Sequence, residues 1–213
     1  NNAPYNAITE LISAYSDAAK DQDCDNRLPL HWACHCKDVS NLVVEELLQV
    51  HEDGVLHEES KYGLLPLHVA CRAGASEAII SVLLSACEKT ARIVDNNGSL
   101  PIHYACHSSS PVGAIIALLL AFPHSASIKN RNGKSALDLA KLKSPIDHNI
   151  IEALTADPTR WSGSSVLRLI WDYPSASKKS TYNRIVSPSN SESTSTSYIS
   201  ETQAIDVMCV VCL

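Results

Sequence analysis

The chain has 213 residues, of which 45% are apolar, enough to bury a sizeable core in one or two folded units and too many for a disordered polymer. Aromatic residues reach only 5%, with Phe122 the sole phenylalanine, so small-residue helix packing is expected in place of a sheet built on aromatic and β-branched pairs. A net charge of −6 speaks against a dedicated nucleic-acid binder, which would carry a dense basic stripe over its folded part.

In chain order, the first apolar segment is AITELISAYSDAA (7–19), with helical spacing. LPLHWACHC (28–36) follows, and its two histidines and two cysteines within six residues look, in isolation, like the start of a metal site. The helical stretch NLVVEELLQV (41–50) comes next. The motif then returns as LPLHVAC (65–71), as LPIHYAC (100–106) and, weakened, as SALDLAK (135–141), each trailed by an apolar helix: EAIISVLLSAC (77–87), VGAIIALLLAF (112–122) and NIIEALTA (149–156). From His31 to His68, His103 and Asp138 the steps are 37, 35 and 35 residues. Five residues before each anchor stands Asn26, Gly63, Gly98 or Gly133, the residue types that enter a left-handed turn at least cost. Pro29, Pro66 and Pro101 suit a first helical position, where the missing N–H would be unpaired anyway.

The unit is therefore a turn, a short helix and a longer helix, and it resembles the ankyrin repeat, whose T-P-L-H-x-A signature is matched from its proline onward by PLHWA, PLHVA and PIHYA. The resemblance spans residues 6–157 and implies an all-α repeat solenoid. It comprises a half repeat at 6–22, repeats at about 23–59, 60–94, 95–129 and 130–157, and partial or capping units at both ends. It also implies that His31, His68 and His103 bond backbone groups of the turns and tie neighbouring repeats together, with Gly63, Gly98 and Gly133 as turn anchors. Leu28, Leu65 and Leu100 replace the family's threonine and remove a capping hydroxyl, a loss that burial of the leucine would offset. The steps exceed the family's 33 residues, so the segments after the second helices, HEDGVLHEESKYG (51–63) above all, should be long. The last unit, with Asp138 for histidine and a shorter, more polar helix, reads as a C-terminal cap.

With the motif repeated, the metal reading weakens. Successive repeats stack at roughly 8–10 Å, too far apart for His-x-x-Cys pairs to share a zinc ion whose thiolate ligands lie at about 2.3 Å. Within the first unit, Trp32 stands where a metalloprotease helix would place its glutamate, and Cys34 and Cys36 point to different sides of a helix. No nucleophile elbow, phosphate-binding glycine loop or recurring carboxylate pair is present, so neither catalytic residue nor cofactor is expected. The eight cysteines are read as buried thiols more readily than as a disulfide framework.

A repeat stack offers an extended concave surface to a partner protein. The family resemblance places it on the turn residues before each proline and on those just after the Ala-Cys pair. The first unit gives Cys24, Asp25, Arg27, His35 and Cys36, and the second Lys61, Tyr62, Leu64, Arg72 and Ala73. The third gives Asn96, Asn97, Ser99, His107 and Ser108, and the fourth Arg131, Asn132, Lys134, Lys141 and Leu142. Arg27, Lys61, Arg72, Arg131, Lys134 and Lys141 are basic and Asp25 alone is acidic, so an acidic or phosphorylated protein segment is the expected ligand. Tyr62 is the one aromatic among them and a candidate hot spot. Trp32 and Tyr104, beside the anchor histidines, are expected to be packed.

After Pro158 the composition changes. Residues 159–174 are expected to form a capping segment, with the apolar run VLRLIW inside WSGSSVLRLIWDY (161–173). Half of residues 175–202 are serine or threonine, which predicts a disordered tail with sites for phosphorylation. The chain ends MCVVCL, where a prenylation box fails by one residue, so membrane contact requires acylation of Cys209 or Cys212. No run of about 18 apolar residues and no secretory leader occurs, and a cytoplasmic, or alternatively nuclear, location is expected. Asn1-Asn2 in place of a methionine, and an opening half-way through a repeat, fit a piece of a longer protein. The function read from all this is a non-enzymatic scaffold or adaptor, a monomer that binds another protein and no nucleic acid. The alternative is the recognition arm of a larger enzyme whose catalytic domain lies outside this chain.

Overall fold

Proline begins three of the short helices, as its fixed φ and absent N–H favour. The computed structural model describes residues 10, 12, 14–36, 39–108, 110–142 and 145–156. Eight α-helices occur among them: α1 (Pro29–His35), α2 (Asn41–Val50), α3 (Pro66–Ala73), α4 (Glu77–Ala86), α5 (Pro101–Ser108), α6 (Val112–Ala121), α7 (Ala136–Lys141) and α8 (His148–Thr155). The described residues contain no strand, only an isolated antiparallel bridge between Lys129 and Ser135. The segments after Pro158 that the sequence reads as a cap and a tail, with Cys209 and Cys212, lie outside the described residues.

The odd-numbered helices pack on one another in sequence and the even-numbered helices do the same, while each pair within a unit packs together, so the array is two layers of helices. The core runs continuously between the layers. Ala33, Cys34, Ala70, Cys71, Ala105 and Cys106 have no exposed surface there, because only small side chains fit where two helices of a unit approach. Val44, Leu47, Ile79, Ile80, Leu83, Ile115 and Leu118 come in from the longer helices.

The extra length of the first step falls partly where it is expected. Helices α2, α4 and α6 are each followed by a five-residue 3₁₀ turn, at Glu52–Leu56, Glu88–Arg92 and Pro123–Ser127. Each of these begins seven residues before the next turn's first polar residue, Glu59, Asp95 or Asn130, so the stretch from 52 to 59 holds no insertion. The Ser16–Lys20 turn keeps the same spacing to Asp23 and marks the opening half unit. The two extra residues of the 37-residue step lie before α2 and in the second turn, between Glu59 and Gly63 and so within 51–63. Ten residues separate His31 from the start of α2, against nine from His68 to α4. Nine separate Glu59 from His68, against eight from Asp95 to His103.

The turns themselves have the backbone that the sequence predicts. Asn26, Gly63, Gly98 and Gly133 take φ of 60°, 66°, 67° and 70°. Gly74, at 73°, ends α3 in the same left-handed state, and its N–H is spent on the carbonyls of Ala70 and Cys71.

Candidate partner-binding surface

The anchor histidines set the geometry of everything around them. Leu28, Leu65 and Leu100 each donate their N–H to Nδ1 of the histidine three residues on, at 3.1, 3.2 and 2.8 Å. Since Nδ1 accepts an amide proton, the ring proton sits on Nε2. Nε2 of His31 and His68 donates to the carbonyls of Leu64 and Ser99 in the following unit, at 3.3 and 3.2 Å, and that of His103 to the carbonyl of Ile128 at the close of its own unit, at 2.9 Å. The rings of His31 and His68 thus each satisfy a helix N-cap and tie two units together. Burial drives His31 and His68 down to about 4 and lowers His103 as well. In the fourth unit Ser135 and Asp138 make the equivalent bonds through a reciprocal capping box, with Ser135 N–H on Asp138 Oδ2 at 2.9 Å and Asp138 N–H on Ser135 Oγ at 3.2 Å. Leu28, Leu65 and Leu100 are each 1% exposed, so the replaced hydroxyl gives way to an apolar side chain in the core.

Successive turns are chained by one backbone bond per step. Ser60 N–H bonds Asp25 O, Asn96 N–H bonds Tyr62 O and Arg131 N–H bonds Asn97 O, at 2.9, 2.9 and 3.0 Å. Inside each turn an acceptor organises the loop. Asp23 Oδ1 accepts from the N–H groups of Asp25 and Arg27, Asp95 Oδ1 from those of Asn97 and Ser99, and Asn130 Oδ1 from those of Asn132 and Lys134. Trp32 and Tyr104 are half-buried and do more than pack. Trp32 Nε1 donates to Asp23 Oδ2 at 3.2 Å and Tyr104 Oη to Asp95 Oδ2 at 2.6 Å. Burial, and then that bond, push the Tyr104 hydroxyl well above its ordinary range. The sequence reading missed these pairs because a nine-residue spacing belongs to no helix or strand period.

The turns therefore form one track and the last turns of α1, α3, α5 and α7 a second beside it. On the first, Lys61, Tyr62, Asn96, Asn97, Arg131, Asn132 and Lys134 are exposed. On the second, His35, Arg72, His107 and Lys141 are exposed. Two expected contact residues on the turns are corrected: Leu64 is 0% exposed and belongs to the core, and Ser99 is 6% exposed with its Oγ accepting from Asn130 Nδ2. At the same register position Arg27 is half-buried and Lys134 exposed. Ala73 is buried too. Cys36 is half-buried at the end of α1, and the Lys61 ammonium lies 5.0 Å over the Tyr62 ring.

The basic character of the surface also shrinks by one member. Arg27 is held by Asp23 at 2.8 Å and Asp25 at 3.0 Å and stacks on Trp32 at 4.3 Å, so its charge is neutralised in place. Lys61, Arg72, Arg131, Lys134 and Lys141 remain exposed. Of the cysteines, Cys34, Cys71 and Cys106 are buried thiols, whereas Cys24 is exposed. Burial raises Cys34 and Cys71 far above the ordinary thiol range, which makes them packing residues and not nucleophiles. Among the described residues no group of three or more His, Cys, Asp or Glu side chains is placed to hold a metal ion, and no helix is long and apolar enough to cross a membrane.

Stacked units of one turn and two helices, the first two pinned to their successors by His31 and His68, define a helical repeat solenoid. The family model for ankyrin repeats matches residues 1–93 in three copies, which supports an ankyrin-repeat protein. The same unit continues beyond the matched region through α5 to α8. A search of curated proteins returned no match.

Proposed function

We propose that this array is a non-enzymatic scaffold that binds a partner protein along the two exposed tracks, and that the partner presents an acidic or phosphorylated segment to them. Ankyrin repeats are in general protein-interaction modules, and that generality supports the first half of the reading. The second half rests on one observation. Arg72 in the second unit and Arg131, Lys134 and Lys141 in the fourth are exposed on turns and helix ends of a chain whose net charge is −6. Tyr62, 40% exposed beside Lys61, is the aromatic contact on the same track.

The test is affinity capture with the whole chain and with Arg72→Glu and Lys134→Glu variants, followed by identification of what is retained. The reading expects an acidic or phosphorylated protein whose capture weakens as salt rises, because exposed charges are screened within about 8–10 Å at physiological ionic strength. Capture that both variants retain undiminished would overturn it.

A further inference from the structure

We propose that a cleft of about 410 Å³ beside the second turn seats a cationic side chain, an arginine of a protein partner, against the carboxyl group of Glu59. In the first and third units the acidic residue at this place, Asp23 or Asp95, is saturated by two turn N–H groups and by the Trp32 indole or the Tyr104 hydroxyl. The second unit breaks this pattern in three ways at once. Glu59 is a methylene longer than aspartate, its turn is one residue longer, and Val69 stands where Trp32 and Tyr104 supply a donor. In consequence Glu59 is only 5% exposed, yet its Oε1 has no hydrogen-bond partner. A buried acceptor left without a donor is costly, and a ligand that brings N–H groups removes the cost.

The surroundings choose the ligand's charge. Asn26, His57, Glu58, Glu59, Ser60 and Asn96 line the cleft, so it holds two acidic residues and no lysine or arginine. The His57 ring is tied to the Asn26 carbonyl through Nε2 at 3.0 Å, and burial lowers its basicity, so it does not supply the missing charge. Arginine suits the site better than lysine. Its planar guanidinium sheds water more readily and offers five N–H donors to a carboxyl group and the oxygens around it.

This inference rests on the reading that the array binds protein, but it is tested without the partner. The probe is N-acetyl-arginine amide, titrated into the whole chain while backbone amide resonances are followed by NMR. Saturable shifts are expected for residues around 57–63 and for Asn96, with N-acetyl-lysine amide binding more weakly. Glu59→Gln, nearly isosteric, should weaken the arginine derivative at least about tenfold, the equivalent of losing one charge-assisted hydrogen bond. Val69→Tyr, which offers Glu59 the kind of hydroxyl that Tyr104 offers Asp95, should weaken it similarly while the spectrum stays folded. The proposal fails if no saturable shift occurs, as when Oε1 merely holds a water. It also fails if Glu59→Gln binds as wild type does, or if N-acetyl-norleucine amide binds as well as the arginine derivative. Failure here with capture still sensitive to Arg72→Glu sinks the cleft alone, and the converse sinks the basic-track reading alone.

Discussion

His68 carries the densest set of roles in the chain: it is fully buried, it accepts the Leu65 N–H and it donates to Ser99 O. His68→Ala should therefore cost about 2–4 kcal/mol in chemical unfolding, from a cavity plus an orphaned donor and acceptor. A pH dependence accompanies it. His31 and His68 sit near 4 when folded against 6.5 when unfolded, so between those values the unfolded chain binds more protons. The stability they contribute is fully present above pH 6.5 and falls as the pH is lowered toward 4, at up to about 1.4 kcal/mol per unit for each ring. His68→Ala should flatten that slope, and an unchanged slope in urea titrations at pH 6.5, 5.5 and 4.5 would show that the rings are not the cause. Asp138, lowered by its bonds to Ser135, acts with the same sign only below its ordinary 3.8, outside this window. At this scale the sequence was legible where the register repeats. His31, His68 and His103 could be read because three copies agree, whereas the bond from Trp32 to Asp23 could not. Two chemically different donors, an indole and a phenol, fill that role, and the middle unit has none.

At the scale of elements, the turns were the best-read part, because their left-handed residues are of types chosen by backbone sterics alone. Gly98→Ala should cost roughly 1–2 kcal/mol for the left-handed backbone, with more from a Cβ that would lie 3.1 Å from Arg131 Cγ. Asn26→Gly tests the same logic in reverse, since glycine relieves the strain at φ 60° but gives up the bond from Asn26 Nδ2 to Glu58 O, and the two effects should nearly cancel in thermal unfolding. At the far end of the stack, Ser135→Ala removes the hydroxyl cap of α7 and should cost about 1 kcal/mol by chemical denaturation. The four-residue and five-residue turns look alike in sequence, since both simply precede a glycine. The inserted residue of the second turn lies within the 51–63 segment expected to be long, whereas the one between His31 and α2 was not expected. Leu64 was misplaced because register carried it to the surface, while an apolar side chain at an interior unit folds into the core.

At the scale of the whole molecule, the stack holds together through contacts between neighbours, histidine to carbonyl and turn to turn. Such a structure leaves one long face whose charge can vary without disturbing the core. The fold was legible because repetition multiplies a weak motif into a strong one. The partner was not, because exposed side chains obey no periodic constraint, and because ion pairing such as that of Arg27 depends on neighbours that the register does not reveal. The measurement that bears most directly on the central claim is capture of the partner by wild type against Arg72→Glu and Lys134→Glu chains of matched thermal stability, at low and at physiological salt. The basic-track account predicts that capture is lost in the variants and weakened by salt in the wild type. Equal capture by all three chains at both salt concentrations would contradict it.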